Sequence, residues 1–145
     1  MAVFAFSKDA RAAAVAFNEI RPEFLTKLGI EFEEISAERV SAVMPVEGNT
    51  QRFGIMNGGA TAALVETLAS VGAEVVVGAE ERAIMGQEQS CHFLSAAHGG
   101  RVRGIATPLH LGRTTQLWDV TVSDSESDKR IAVGRVTIAI RELRR

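Results

Sequence analysis

The 145-residue sequence lacks the features that stabilise secreted or metal-bound domains. Its single cysteine, Cys91, excludes a disulfide within the chain, and its Cys and His residues do not have zinc-site spacing. No apolar run reaches the roughly 18 residues that cross a bilayer without including a charge. The first residues also lack the basic-then-apolar order of a secretory signal. We therefore expect a protein of the reducing cytoplasm.

An excess of charge of either sign is absent as well. The chain has 16 Lys and Arg against 18 Asp and Glu, a formal net charge of −2. This balance gives no electrostatic reason to expect nucleic acid or a membrane surface as a partner. With 46% hydrophobic and 23% charged residues, the composition is that of one folded domain, residues 1–145. There is no internal repeat or low-complexity segment.

The first part of the chain predicts a helix followed by two strands. Apolar residues recur at three- and four-residue steps over residues 8–28, and Pro22 interrupts this periodicity. Apolar and polar residues then alternate on both sides of residues 36–38. This pattern predicts two strands joined by a tight connection.

A long apolar segment over residues 60–77 predicts a helix buried inside the protein. A polar, turn-rich loop over residues 48–54 leads into it, and Gly78 is the expected stop. Glu66 lies in the middle of this helix, with Ser70 one turn later on the same face. The second carboxylate, Glu74, lies near the end, where we expect easier access to solvent.

The second half predicts four strands with short connections, which favours antiparallel pairing of consecutive strands. The strands are predicted over residues 83–95, 101–111, 114–123 and 131–143. One antiparallel sheet curled around one central helix would bury all of this apolar surface. The predicted class is therefore α+β.

Glu66 is the first candidate for chemistry, because burying an unpaired charge costs several kcal/mol or raises the pKa of the group. A dehydrated carboxylate is a stronger base or nucleophile than one in water. The alternative is a structural glutamate that pairs with an arginine across an interface or faces solvent.

Asn57, Gly58 and Gly59 precede this helix and form the second candidate. Glycine amides at a helix start can bind an anion, since the helix dipole favours negative charge there. Alternatively, Asn57 caps the helix and the glycines permit a tight entry. Both interpretations can hold together.

Two segments resemble the hotdog-fold acyl-CoA thioesterases. GIMNGGATAALVETLASVGA is similar to the signature helix of that family, and GRVRGIATPLHLGRTTQLWDVTV is similar to the strand pair that follows it. The branch with this pair includes the 1,4-dihydroxy-2-naphthoyl-CoA thioesterase and the enterobactin proofreading thioesterase. The resemblance covers residues 29–140. It implies a hotdog fold, a homodimer joined edge to edge, often paired again into a tetramer, and sites at the dimer interface.

By matching position, the resemblance implies roles for five residues. Glu66 would be the catalytic carboxylate, and the Gly58 amide would bind the oxyanion. Gln51 would contact the thioester carbonyl, and Ser70 would help to place the water, or else bond back to a helix carbonyl. His92 matches a histidine near the active site, although a lone histidine in a strand is more often structural.

The family usually has His-Gly-Gly where this chain has Asn57-Gly58-Gly59. An amide can donate a hydrogen bond to a carbonyl, as a neutral histidine does, but cannot take a proton. Hydrolysis of an aryl- or alkyl-CoA thioester remains the predicted activity. A noncatalytic acyl-CoA-binding protein is the alternative. A hydratase on the same fold is less favoured, because its usual paired Asp and His are not evident.

The substrate would carry coenzyme A, which leaves as product, and no metal or other cofactor is implied. Gly59 would help to bind the substrate. Arg113 and Thr114 could meet the coenzyme A phosphates, with Arg101 and Arg103 as further members of a basic cluster.

Overall fold

The computed structural model describes residues 5–78 and 82–143, which form three helices and six strands. In chain order these are α1 (Ala10–Glu19), α2 (Glu23–Leu28), β1 (Glu31–Ile35), β2 (Val40–Pro45), α3 (Gly58–Val77), β3 (Arg82–Phe93), β4 (Arg101–Leu111), β5 (Thr115–Asp124) and β6 (Arg130–Glu142). The predicted order of elements is confirmed.

The predicted helical region, residues 8–28, forms two helices that are separated at Pro22, as the sequence predicts. The Asp9 side chain accepts a hydrogen bond from the Ala12 N–H and caps α1. Pro22 precedes α2, and Gly29, with a φ of 71°, ends it. Phe17 on α1 packs edge-on against Phe32 of β1, with ring centroids 5.0 Å apart.

Helix α1 also covers the outer edge of β1. The Asn18 side chain accepts from the Phe32 N–H at 2.9 Å and donates to the Phe32 carbonyl at 2.8 Å, as a neighbouring strand would. Arg21 donates to the Ile30 carbonyl at 2.6 Å, just before the strand begins. This edge of the sheet is therefore closed by side chains.

The six strands form one antiparallel sheet in the order β1-β2-β4-β5-β6-β3. Among the four strands of the second half, the predicted pairing is confirmed for β4 with β5 and for β5 with β6. It is wrong for β3 and β4, because β4 lies between β2 and β5, and β3 pairs with β6. In the described part of the chain, β3 has no neighbour on its other side and forms the open edge.

The connection between β3 and β4 explains this difference, because it crosses the end of the sheet. Leu94 donates its N–H to the Ile131 carbonyl at the start of β6. Farther along, the Ala97 carbonyl accepts from Met56, and the Gly100 carbonyl accepts from Val46, which follows β2. The chain is thus carried from one edge to the middle of the sheet before β4 begins.

Helix α3 lies against the inner face and contacts every described strand. Gly72 of α3 faces Trp118, and a Cβ at this glycine would lie 2.6 Å from the indole ring. A Cβ at Gly104 of β4 would likewise collide with the side chain of Leu68. Because these two glycines have no side chain, the helix can approach the sheet closely. Gly78 ends the helix, as predicted.

By length and composition alone, Gly58–Val77 could also span a membrane. Half of its apolar window is buried inside the protein, and core helices wrapped by a sheet pass the same test. The length and composition of this helix are therefore weak evidence that it spans a membrane. Glu74, near its end, is half-buried rather than freely accessible, and burial raises the pKa of its carboxyl group.

Candidate active site

Glu66 lies half-buried on α3, on the side that faces the open edge strand β3. Ser70 Oγ donates a hydrogen bond to Glu66 Oε1 at 2.5 Å. The hydroxyl therefore contacts the carboxylate of the preceding turn and does not bond back to a helix carbonyl. Because this contact uses Oε1, Oε2 is the oxygen left to accept a proton.

No cation neutralises Glu66 within the described residues. The ion pairs there use other carboxylates, namely Glu23, Glu31, Glu33, Glu34 and Asp119. Glu66 therefore has no arginine partner among the described residues of its own chain, and pairing with an arginine across an interface stays an alternative. An unpaired, half-buried carboxylate with one hydroxyl donor is suited to general-base or nucleophilic chemistry.

The start of α3 supplies a free backbone donor. Asn57 Oδ1 accepts from the Gly59 N–H at 2.7 Å and caps the helix. The Gly59 amide is thus already used, which corrects its predicted role as a substrate donor. Gly58 is the first helical residue, so its N–H has no carbonyl one turn earlier to donate to. It is therefore available to an oxyanion.

The cap predicts a measurable loss of stability on substitution of Asn57. Asn57→Ala is expected to lower the free energy of unfolding by about 1 kcal/mol, because the Gly59 N–H loses its acceptor. Asn57→Ser keeps an acceptor and is expected to lose much less. Denaturant unfolding of both variants checks this expectation, and equal stability of Asn57→Ala and wild type would contradict it.

A cavity of about 310 Å³ opens beside Gly58. Gln51, Gly58 and Thr61 supply its polar groups, and its apolar wall includes Phe93 and Ile131. Gln51 Oε1 accepts from the Phe53 N–H at 2.6 Å, which holds the loop and leaves Nε2 as a donor. The cavity therefore joins hydrogen-bond donors to an apolar surface, as a thioester with an apolar acyl group requires.

The predicted site residues fall into two groups within one chain. Glu66 and Ser70 form one group, and Gln51, Asn57 and Gly58 form the other. Glu66 follows Gly58 by eight residues of α-helix, an axial rise of about 12 Å. Carboxylate and oxyanion donor of the same chain are thus too far apart along the helix to meet one thioester carbon.

His92 belongs to neither group within one chain, so its predicted place near the active site stays a prediction. Side chains alternate along β3, so that Phe93 faces the helix and His92 faces away from it. His92 is exposed and lines a groove on the outer sheet face with Ser90, Asp119 and Arg135. Phe93 is the neighbour that reaches the site, since a Cβ at Gly58 would lie 3.2 Å from its ring.

Cys91 also faces the helix, where it packs against the core. Burial raises the pKa of its thiol above the ordinary value. Because the thiolate is the reactive form, this environment does not favour Cys91 as a nucleophile.

The predicted basic cluster does not form as one group. Arg101 pairs with Glu31 at 3.1 Å and Arg103 with Glu33 at 2.7 Å. The hydrogen bond from Arg103 holds the pKa of Glu33 below its ordinary value. Glutamates of β1 thus pair with both arginines, and neither arginine lies near Arg113. The prediction that the three arginines share a role is therefore corrected.

Arg113 and Thr114 instead line a cavity of about 560 Å³ near the end of β6. Arg82, Arg141 and the acidic Glu142 line the same cavity, so three arginines and one glutamate border it. This grouping could not be predicted from the sequence, because the three arginines come from three different parts of the chain. Such a cavity suits an anionic group.

Three residues of the site were not predicted: Thr61, Phe93 and Gly86. Thr61 lies one turn after Asn57 on the cavity side, a position that the helical period could have indicated. The positions of Phe93 and Gly86 depend on how β3 crosses the helix. No group of three or more His, Cys, Asp or Glu side chains among residues 5–78 and 82–143 is placed to hold a metal ion.

The sequence profile of the Thioesterase superfamily matches residues 53–131, which contain α3, the strands β3, β4 and β5, and the start of β6. The chain belongs to this superfamily. The proofreading thioesterase EntH of Cronobacter turicensis is 39% identical over 114 residues, which are 78% of this chain and 82% of that protein. The 1,4-dihydroxy-2-naphthoyl-CoA hydrolase of Escherichia coli is 37% identical over the same shares of the two chains.

Solved structures of thioesterases share the fold. A Haemophilus influenzae thioesterase superposes with a TM-score of 0.85 and 27% identity, covering 100% of this chain and 98% of its own. The Pseudomonas aeruginosa thioesterase PA1618, in a mutant form, gives 0.84 and 30% over 94% of this chain and 97% of its own. The predicted family, hotdog fold and hydrolase class are confirmed.

Proposed function

We propose that this thioesterase-superfamily member hydrolyses an aryl- or alkyl-CoA thioester to the free acid and coenzyme A, with Glu66 as the reacting carboxylate. The observation that carries the proposal is the unpaired carboxylate of Glu66, held by Ser70 at 2.5 Å on the core helix. The relative named for hydrolysis of a naphthoyl-CoA thioester favours an aromatic acyl group among the candidates.

As a general base, Glu66 Oε2 takes a proton from water while the water oxygen attacks the thioester carbonyl carbon. The carbonyl oxygen becomes an oxyanion, which the Gly58 N–H stabilises with support from the helix dipole. When the carbonyl re-forms, the C–S bond breaks, and the coenzyme A thiolate leaves and takes up a proton. Direct attack by Glu66 gives a mixed anhydride that water then hydrolyses.

The site is completed by a second copy of the chain. β3 is the open edge of the described sheet, and an antiparallel pairing of two β3 strands extends that sheet across a twofold axis. Near one end of β3, Phe93 lies beside Gly58; nearer the other end, Gly86 lies beside Glu66. When two β3 strands pair antiparallel about their midpoints, the end of β3 beside Glu66 in one chain lies next to the end of β3 beside Gly58 in the other chain.

Mixing two inactive variants tests this shared site. When Glu66→Gln and Gln51→Ala chains exchange, each mixed dimer has one site with both native residues, and random pairing restores about a quarter of the wild-type sites. The measurement is release of free thiol from a panel of aryl- and alkyl-CoA esters, before and after exchange. Each variant incubated alone is the control, and no recovery on mixing would show that one chain supplies both residues.

We further propose that the cavity bordered by Arg82, Arg113 and Arg141 binds the coenzyme A phosphates, with Thr114 donating its hydroxyl. Three arginines against one glutamate around a cavity of about 560 Å³ support this assignment. The reaction uses no metal or redox cofactor. A pair of dimers in the cytoplasm is the proposed assembly and location.

The second candidate function is acyl-CoA binding without hydrolysis. Asn57 favours it, because this residue caps α3 through Oδ1 and has no group that can take a proton. Tight binding of a CoA thioester by the wild type, with no thiol released from any member of the panel, would support this function over hydrolysis.

A further inference from the structure

Gly86 of β3 lies directly against the Glu66 carboxylate. A Cβ placed on Gly86 would lie 2.6 Å from Glu66 Oε1, and 3.4 and 3.5 Å from Glu66 Cδ and Cγ. These three nearest atoms all belong to Glu66. Gly86 pairs with buried Ile138 and therefore faces the helix. The carboxylate thus occupies the volume that any other residue at position 86 would fill.

Backbone conformation does not account for glycine at this position. The described glycines with positive φ are Gly29, Gly48, Gly54, Gly78 and Gly100, and Gly86 is not among them. An alanine could adopt the backbone of β3 here without strain. Space for the Glu66 side chain is therefore the reason that the structure offers for a glycine.

The strand changes register immediately after this contact. The pairing of β3 with β6 shifts between Gly86 and Glu88, so Gln87 is an extra residue without a partner on β6. Such bulges bend a strand locally and re-aim its neighbours. Glu66 Oε1 is thus bounded by the Ser70 hydroxyl on its own helix and by the strand backbone at the bulge.

We propose that Gly86 is a positioning residue that lets the Glu66 carboxylate lie against the edge strand with Oε1 bonded to Ser70 and Oε2 free to react. This inference rests on the proposed role of Glu66 in thioester hydrolysis. A methyl group at position 86 displaces Oε1, which breaks the Ser70 hydrogen bond and turns Oε2 away from its place. Displacing a reacting group by about 1 Å can cost about 10²-fold in rate.

A stability cycle tests the contact without reference to activity. Gly86→Ala is expected to lower the denaturant midpoint of unfolding in the wild type but not in Glu66→Ala, where the space is vacant. If Gly86→Ala alone fails to fold, folding of the double variant gives the same answer. An equal loss in both backgrounds would overturn the proposed contact.

A kinetic cycle tests the positioning role. Gly86→Ala is expected to lower kcat for a CoA thioester about 10- to 100-fold with a smaller change in KM, and to cause no further loss in Glu66→Gln. The matched control is Gly134→Ala on β6, whose Cβ would lie 2.6 Å from Val65, the residue before Glu66. It is expected to lower stability, and its effect on kcat is expected to be the same with and without Glu66→Gln.

The outcomes separate the two proposals. Full kcat in Gly86→Ala, with kcat lost in Glu66→Gln, overturns the role of Gly86 alone. Full kcat in Glu66→Gln overturns the proposed role of Glu66, and the positioning role of Gly86 falls with it.

Discussion

Glu66→Gln is expected to lower kcat for CoA-thioester hydrolysis by about 10²- to 10⁴-fold, the range that a positioned acid or base contributes. The amide keeps the shape of the side chain and can still accept from Ser70, but cannot take a proton or attack a carbonyl. KM is expected to change only a few-fold, because the role proposed for Glu66 is in the transition state rather than in ground-state binding. Steady-state release of free thiol measures both constants.

Glu74→Gln is the matched control for this substitution. Glu74 is a half-buried glutamate of the same helix, two turns farther on, and it has no part in the proposed chemistry. Its substitution is expected to leave kcat near the wild-type value. Equal turnover by Glu66→Gln and wild type would remove the carboxylate from the mechanism.

Gly58→Pro is expected to lower kcat by about 10²- to 10³-fold, the usual cost of losing one oxyanion donor. Proline removes the backbone N–H but is well tolerated at the first position of a helix. Asn57 already has φ −68° and ψ 129°, in the extended region that a residue before proline prefers. The helix is therefore expected to persist while its free amide disappears, and circular dichroism verifies that it does.

Gly58→Ala separates the lost donor from the added bulk. It keeps the N–H and adds a Cβ 3.2 Å from the Phe93 ring, which is 57% exposed and can shift. Its kcat is expected to fall much less than that of Gly58→Pro. If the two variants lose the same activity, the effect comes from crowding by Phe93, and the Gly58 N–H does not bind the oxyanion.

Most of the elements could be predicted because local chemistry determines them. The alternation around β1 and β2, the apolar length of α3 and the stop at Gly78 each depend on neighbouring residues. The position of β4 between β2 and β5 could not be predicted in this way. It depends on hydrogen bonds from the connection after Phe93 to distant residues such as Ile131 and Val46.

The site residues on α3 could be predicted from the sequence, whereas those contributed by the sheet could not. Ser70 follows Glu66 by one turn, so the periodicity of α3 alone brings the two together. Phe93 rather than His92 reaches the site, because the orientation of β3 determines which alternate side chains face inward. Gly86 carries no side chain, so only the tertiary structure reveals that it makes room for Glu66.

The Asn18 side chain, which closes β1, limits how copies of this chain can associate. A sheet with one covered edge can add a strand only at its other edge, so the proposed pairing of two β3 strands would leave no open edge for a third chain. A chain with two available margins could continue into a fibre. If copies associate through β3 as proposed, we therefore expect α1 to limit strand pairing to two chains, even at high protein concentration.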